Sequence, residues 1–395
     1  MSPESPAVLK NLLRSAGAQG YLGYDKHDGL LSPMLSKALG KTRIGRLIAI
    51  QTVMRMPWNC RPMLGIAKSC NPKGLGLFAL ANLKAYQLFG DRPFLDEAES
   101  ILERLRAMAC RQFPGMSWGY QYPWQDAGFF APVNFPNRVV TCWIGQAFFE
   151  AWKITGAGRY LDTCKEICAF LRRAPNRIRD TADELCLSYV PDASVRWAVM
   201  DVSALCGRMF AQTGAAAGDT GLVDDAHRCL RYIARCQTLY GAWFYTEPPG
   251  DSSITHDNYH TGIILDCIAD YHDAVNDDPY REVYEKGVRY YAENLFEPDG
   301  APRWMNDRRY PYDIHGAAQG IISFSHPACG DAYAATAERI RAWTMENIYD
   351  SRTGEFWYQK YRFFTKRFTF MRWCNGWMCV ALASYLQAHR RSEEA

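Results

Sequence analysis

Two histidines occupy matching places in this 395-residue chain. His260 follows Asp257 by three residues and His315 follows Asp313 by two. Each leads into small or apolar residues, Thr261-Gly262 in one case and Gly316-Ala317-Ala318 in the other. An imidazole beside a carboxylate suits proton transfer near neutral pH. Either aspartate alone reads equally well as a helix cap, and a lone histidine as a core residue; the repetition on consecutive helices is what points to chemistry. Arg372, Trp373 and Asn375 open another helix of the same kind, Arg138 and Thr141 a further one, and Asp201 lies one turn inside a fourth. Asp257, His260, Asp313, His315 and Arg372 are the candidate catalytic groups.

Aromatic residues recur around them. They lie in loops at Gly23-Tyr24-Asp25, Gly115 to Tyr120, Leu187-Ser188-Tyr189, Gly241 to Tyr245, Ala301 to Trp304 and Gly354 to Tyr358. Any one of these rings is most simply a plug for a loop. Collectively, in a chain with 12 Trp and 23 Tyr, they suit a saccharide, whose C–H faces pack on aromatic rings while carboxylates, amides and arginines take its hydroxyls. The candidate binding set is Tyr24, Asp25, Trp118, Tyr120, Trp124, Tyr189, Trp243, Tyr245, Tyr259, Trp304, Gln319, Trp357 and Trp373. Arg372, Arg138 or Arg303 has the bidentate fork to clamp a uronate carboxylate.

Neither a metal nor a cofactor is expected. His256 and His260 are four apart, but His256 falls before the helix, and no Cys-Xaa-Xaa-Cys or His-Glu-Xaa-Xaa-His is present. The stretch Asn71-Pro72-Lys73-Gly74-Leu75-Gly76 contains glycines without the phosphate-loop pattern, and no Gly-Xaa-Ser-Xaa-Gly elbow exists.

The elements that must position these residues are helical hairpins. Breakers recur at Phe89 to Pro93, Thr155 to Arg159, Thr213 to Asp219, Val275 to Pro279 and Ser325 to Gly330. After them come charge-rich amphipathic helices such as Tyr160–Arg173, Leu222–Gln237, Tyr280–Leu295 and Asp331–Asn347. Before them, or ending the chain, come six helices that are apolar nearly all round: Gly74–Leu88, Val139–Trp152, Trp197–Gln212, Tyr259–Tyr271, Asp313–Phe324 and Phe370–Gln387. The first kind lies outside and the second is buried on both sides. Period-two strand patterns are essentially missing. The pattern predicts an all-α (α/α)6 toroid over residues 1–395 as one domain, with residues 1–40 as an N-terminal extension packing on it. The aromatic loops then ring the mouth of a cavity.

Composition sets the outer limits. The chain is 48% apolar, and 45 basic side chains nearly balance 42 acidic ones, so disorder and nucleic-acid binding are not expected. No apolar run reaches the roughly 20 residues of a membrane span. Residues 1–20 have no leader-like apolar core, and the 14 cysteines are scattered, which points to a reduced, cytoplasmic protein. Oligomeric state is not legible.

The alternation of inner and outer helices with aromatic loops resembles the six-hairpin glycosidase superfamily. More narrowly, Gly23-Tyr24-Asp25, Asn71 to Leu75, Ser117 to Tyr120, Asp257 to Gly262, Tyr312 to Gln319 and Met371-Arg372-Trp373 are similar to a family associated with bacterial surface-polysaccharide biosynthesis. Tyr259-His260-Thr261 also resembles the helical part of glucuronyl C5-epimerases, without their β-rich domains. Gln237-Xaa3-Gly241-Xaa-Trp243 fits the triterpene-cyclase motif in which Gln and Trp tie a helix end to the next loop. The cyclase acid, Asp-Xaa-Asp-Asp, is missing, so that motif reports the toroid rather than the reaction.

These resemblances imply a carbohydrate-active enzyme working on a uronate-containing polysaccharide or oligosaccharide, with glycoside hydrolysis as the first reading. In it Asp257 and Asp313 serve as acid and base, or one aspartate hydrates an unsaturated uronate. In the lyase alternative, Arg372 or a protonated His315 offsets the carboxylate charge, His260 or a tyrosine removes the C5 proton and a tyrosine protonates the leaving group; a glucuronyl C5-epimerase-like enzyme is the other alternative. A non-catalytic sugar-chain-binding factor is the remaining reading.

Overall fold

Left-handed residues punctuate one end of the molecule. Gly90, Gly156 and Gly218 adopt φ near +70°, and Asn276 takes the same role at +52°. Each closes the C-terminus of a buried helix and turns the chain within a few residues into a surface helix. The computed structural model describes residues 4–126 and 128–394. Its helices, in chain order, are α1 (Glu4–Ala18), α2 (Pro33–Leu39), α3 (Arg43–Arg55), α4 (Pro72–Phe89), α5 (Arg92–Ala107), α6 (Arg138–Thr155) and α7 (Gly158–Arg173). They continue with α8 (Met200–Ala217), α9 (Thr220–Arg235), α10 (Asn258–Val275), α11 (Arg281–Asn294), α12 (Ile314–Phe324), α13 (Ala334–Asn347) and α14 (Trp377–Glu394).

The inner ring is α4, α6, α8, α10, α12 and α14, each packing on the next, and α14 closes on α4. Outer helices α5, α7, α9, α11 and α13 pair with the inner helices that precede them. The architecture is the (α/α)6 toroid that the hydrophobic pattern predicts. Close packing has sequence causes: a Cβ on Gly262 would sit 2.6 Å from the Gln319 side chain and 2.7 Å from the Tyr291 hydroxyl, so α10 can approach α12 only as glycine.

Three features add to the sequence reading. Residues 1–3 lie outside the described residues, and the rest of the segment 1–40 begins with a helix that packs on the toroid. That helix, α1, lies against α14 and α4 and buries Val8, Leu9, Leu12, Leu13 and Ala16, so it serves as the sixth outer helix at the ring closure. Strands do occur, two to four residues long, as pairs and one three-stranded sheet within the long loops; such short pieces leave no period-two signature. Lastly, the final inner helix is preceded by one π-helical turn, Met371–Gly376, in which the Asn375 N–H reaches back to the Phe370 carbonyl. All fourteen cysteines are free thiols.

Candidate active site

The loop end of the toroid holds a cavity of about 590 Å3. Its floor follows one rule of register. The second residue of every inner helix lines it: Lys73, Val139, Asp201, Tyr259, His315 and, in the π turn, Arg372. Because the inner helices all start at this end, a fixed step past each helix start points to the axis. In ring order His315, Arg372 and Lys73 form one arc, while Asp201 lies across from Arg372.

The predicted aspartates part company. Asp313 caps α12, accepting the His315 N–H at 2.9 Å, and also takes the Trp373 indole N–H at 2.8 Å and the Gln359 amide at 2.7 Å. Asp257 makes no side-chain cap; its carboxylate meets His260 Nδ1 at 2.6 Å. Neither carboxylate lines the cavity, so the pairing expected for hydrolysis is not presented to a substrate. Each is consumed in aligning a neighbour.

The two histidines do reach the cavity, and they flank one ring: Tyr259 lies 4.2 Å from His260 and 4.4 Å from His315 between centroids. Their environments are opposed. Burial works against a charge on His260, but the carboxylates of Asp257 and of Asp201, 4.0 Å from Nε2, outweigh it and raise its pKa. Burial alone pushes His315 the other way, and the charges of Lys73, His260, Arg372 and Lys26 drive its pKa well below the ordinary value. Stacking between Tyr259 and Trp377, with Trp373 edge-on, gives neither of its nitrogens a hydrogen-bond partner. Burial and the surrounding cations thus work against the protonated His315 expected for elimination.

Cations occupy the facing arc. Arg372 is locked by Asp25 through two hydrogen bonds of 2.7 and 2.5 Å, and Asp25 also accepts from Asn71 and Tyr122. Burial penalises Asp25, yet Arg372 holds its carboxyl at about 2. The Nη1 of Arg372 has no protein partner. Lys73 is buried over Trp143 and Trp377; burial and the Arg372 charge bring its ammonium down to about 7. Lys26 sits 4.0 Å over the Trp373 ring and 5.5 Å from Trp304, its pKa lowered by burial. Asp201 keeps one oxygen unpartnered, and burial raises its pKa.

Of the predicted binding residues, Tyr120, Trp124, Tyr189, Tyr245, Tyr259, Trp304 and Trp373 line the cavity. Trp118 and Trp243 do not. Their indole N–H groups bond the carbonyls of Leu105 and Ile233, tying the ends of α5 and α9 to the following loops. Gln237 joins the second clamp by donating to the Gly241 and Val283 carbonyls, the role the cyclase-like motif implied. Gln319 is spent between α10 and α12 on Asp266 and Ser323. Tyr24 and Asp25 stand behind Arg372 in a small recess, and Trp357 packs under Arg367 outside the cavity. Arg138 is consumed by the carbonyls of Ala174, Pro175 and Ser188, and Arg303 lies beside Glu297.

Sequence reasoning missed Lys26, Lys73, Trp197, Gln359 and Lys366 on the wall, and also one flank of α3. Lys73 carried a usable signal, since it stands two residues after the Asn71 cap as His315 does after Asp313. The α3 flank carried none. For metals, His256 is pinned by the Trp243 carbonyl and the Tyr240 hydroxyl. At the opposite end of the axis, Asp270, Asp273 and His326 lie close enough to share an ion. There the Ala328 N–H donates to His326 Nδ1, which places the ring proton on Nε2, the nitrogen facing Asp270.

The (α/α)6 toroid is shared with solved structures of carbohydrate-processing enzymes. A cellobiose 2-epimerase from Bacillus thermoamylovorans superposes with a TM-score of 0.63 at 13% identity, over 82% of this chain and 90% of that one. An unsaturated glucuronyl hydrolase specific for heparin gives 0.60 at 12%, over 82% and 89%. A GH76 α-mannanase from Bacteroides thetaiotaomicron gives 0.60 at 12%, over 83% and 88%. No protein-family model and no curated protein matches the chain.

Proposed function

We propose that the protein is a carbohydrate-active enzyme that epimerises a uronate-containing saccharide by moving the proton at C5, the carbon next to the carboxylate. One observation carries this reading: two imidazoles flank Tyr259 with their basicities pushed apart, one disposed to be charged and one neutral. Opposed basicities of this kind are what an acid and a base serving one substrate need. Arg372 and Lys73 receive the carboxylate, and the fixed charge of Arg372 stabilises the electron pair that delocalises into it when the C–H bond breaks. His315 takes the C5 proton; the His260 imidazolium, backed by Asp257, returns one to the same carbon from the other face. The proton gained by His315 and lost by His260 then re-equilibrates through water, and no net atom is consumed.

Hydrolysis by Asp257 and Asp313 loses support because neither faces the cavity. Two of the structural neighbours are sugar epimerases by their descriptions, so the fold accommodates proton transfer without bond cleavage as well as hydrolysis. The test is proton NMR in D2O on a panel of uronate-containing oligosaccharides. Loss of the H5 signal with no new reducing ends is the expected result. A vinylic H4 signal beside new reducing ends makes the enzyme a lyase, and reducing ends alone make it a hydrolase. Line broadening of the sugar without any exchange leaves a binding factor.

A further inference from the structure

The near-neutral total charge conceals a segregation. Between Asp28 and Asp91 there is no acidic residue, while nine basic ones occur: Lys37, Lys41, Arg43, Arg46, Arg55, Arg61, Lys68, Lys73 and Lys84. Between Glu355 and Glu393 there is again no acid. These two stretches meet at the cavity mouth. The first contains α2, α3 and the loop that follows; the second contains the hairpin of Gln359–Lys360 with Thr365–Lys366. Lys366 donates to the Met54 carbonyl at 2.9 Å and joins the hairpin to α3.

Exposed apolar side chains concentrate on the same two pieces. Of the twelve large ones exposed among the described residues, five (Met34, Ile44, Ile48, Trp58 and Met63) belong to the first and two (Phe363 and Phe364) to the hairpin tip. Ile44 is 70% exposed, Met63 79% and Phe363 86%, far more than soluble folding asks for. On α3, positions 44, 48, 52 and 55 form one outward stripe, next to the flank of Leu47, Gln51 and Met54 that lines the cavity. Lys37, Lys41 and Lys68 are exposed around it.

We infer that this lobe and hairpin form a docking face for an anionic lipid bilayer, holding the cavity mouth beside the headgroups. Arg61 is buried against Asp28 and Lys73 faces the cavity, but the exposed Lys37, Lys41 and Lys68 present the positive charge that an anionic surface attracts. Protruding isoleucine, methionine and phenylalanine match acyl chains, whereas a soluble polyanion offers them nothing apolar. Attachment is peripheral, because no helix among the described residues is long and apolar enough to cross a membrane.

The experiment is co-sedimentation of the full chain with phosphatidylcholine vesicles, with and without phosphatidylglycerol. Partitioning into the anionic vesicles alone, weakened by salt, is expected. Lys41→Gln should lower it about fivefold, and the double substitution Ile44→Asp with Ile48→Asp should abolish it while the helical circular dichroism stays that of the parent. Partition that survives the double substitution overturns the proposal, as does absence of wild-type binding. Retention on immobilised heparin without vesicle binding assigns the charge to a soluble polyanion instead. A dimer lost on Ile44→Asp, again without vesicle binding, assigns the face to a second copy of the chain.

Discussion

His260 and His315 touch the same tyrosine ring, yet the charges around them set opposite protonation states. The consequence is a signed pH dependence. As pH rises through the elevated pKa of His260 its imidazolium is lost; as pH falls through the depressed pKa of His315 the neutral base is lost. The turnover rate should therefore trace a bell, with the alkaline limb above and the acid limb well below the ordinary histidine value of about 6.5. Lys73 also sheds its charge near 7, but it holds the carboxylate and should act on KM. His260→Gln is expected to lower kcat by roughly 10²–10⁴-fold and to erase the alkaline limb; Lys73→Met should raise KM and leave that limb in kcat. Steady-state rates across pH separate the two, and a kcat limb that follows Lys73 would reverse the assignment.

At the scale of elements, tryptophans that look alike in sequence divide into two trades. Trp118 and Trp243 cap the ends of outer helices, and each follows a glycine, Gly115 or Gly241, held at φ near +90°. At both glycines a Cβ would collide with the backbone of the next outer helix, so the loop closes only without one. Trp373, by contrast, leaves the π turn toward the cavity, anchored to Asp313 and covered by Lys26; π turns often mark functional positions. Trp118→Phe should cost about 1–2 kcal/mol by removing the buried indole hydrogen bond to the Leu105 carbonyl, seen as a lower urea midpoint with KM unchanged. Trp373→Phe should raise KM. A Trp118 variant that changed KM would place that residue back among the binding groups.

On the scale of the molecule, the ring is completed from both termini. Helix α1 covers α14 and α4, so the closure joins the two ends of the chain; Ser5 of α1 also approaches Arg341 of α13 across 336 residues. Leu9 is fully buried there, as Leu77 is inside α4. Leu9→Ala should therefore destabilise the protein by about 2–5 kcal/mol, the cost of a core cavity, and equally to Leu77→Ala in urea unfolding. A cost under about 1 kcal/mol would return α1 to the status of an appendage. The sum of charges misleads at this scale too: a net +3 hides two acid-free stretches that folding places side by side.

Much of this was legible in the chain before folding. Helix periodicity and glycine turns determined the toroid, because burial on one or both sides of a helix is written into which residues it carries. The starts of the inner helices determined which residues reach the axis, so His260, His315, Arg372 and most of the aromatic wall could be named from spacing. What spacing cannot carry is the partner across the ring. Whether an aspartate caps a helix, as Asp313 does, or charges a histidine, as Asp257 does, depends on atoms brought together from other hairpins. So do the depressed basicity of His315, the lysine arc and the flank of α3 in the cavity wall. Electrostatics and burial act through space over a few ångströms, and only the closed ring sets those distances.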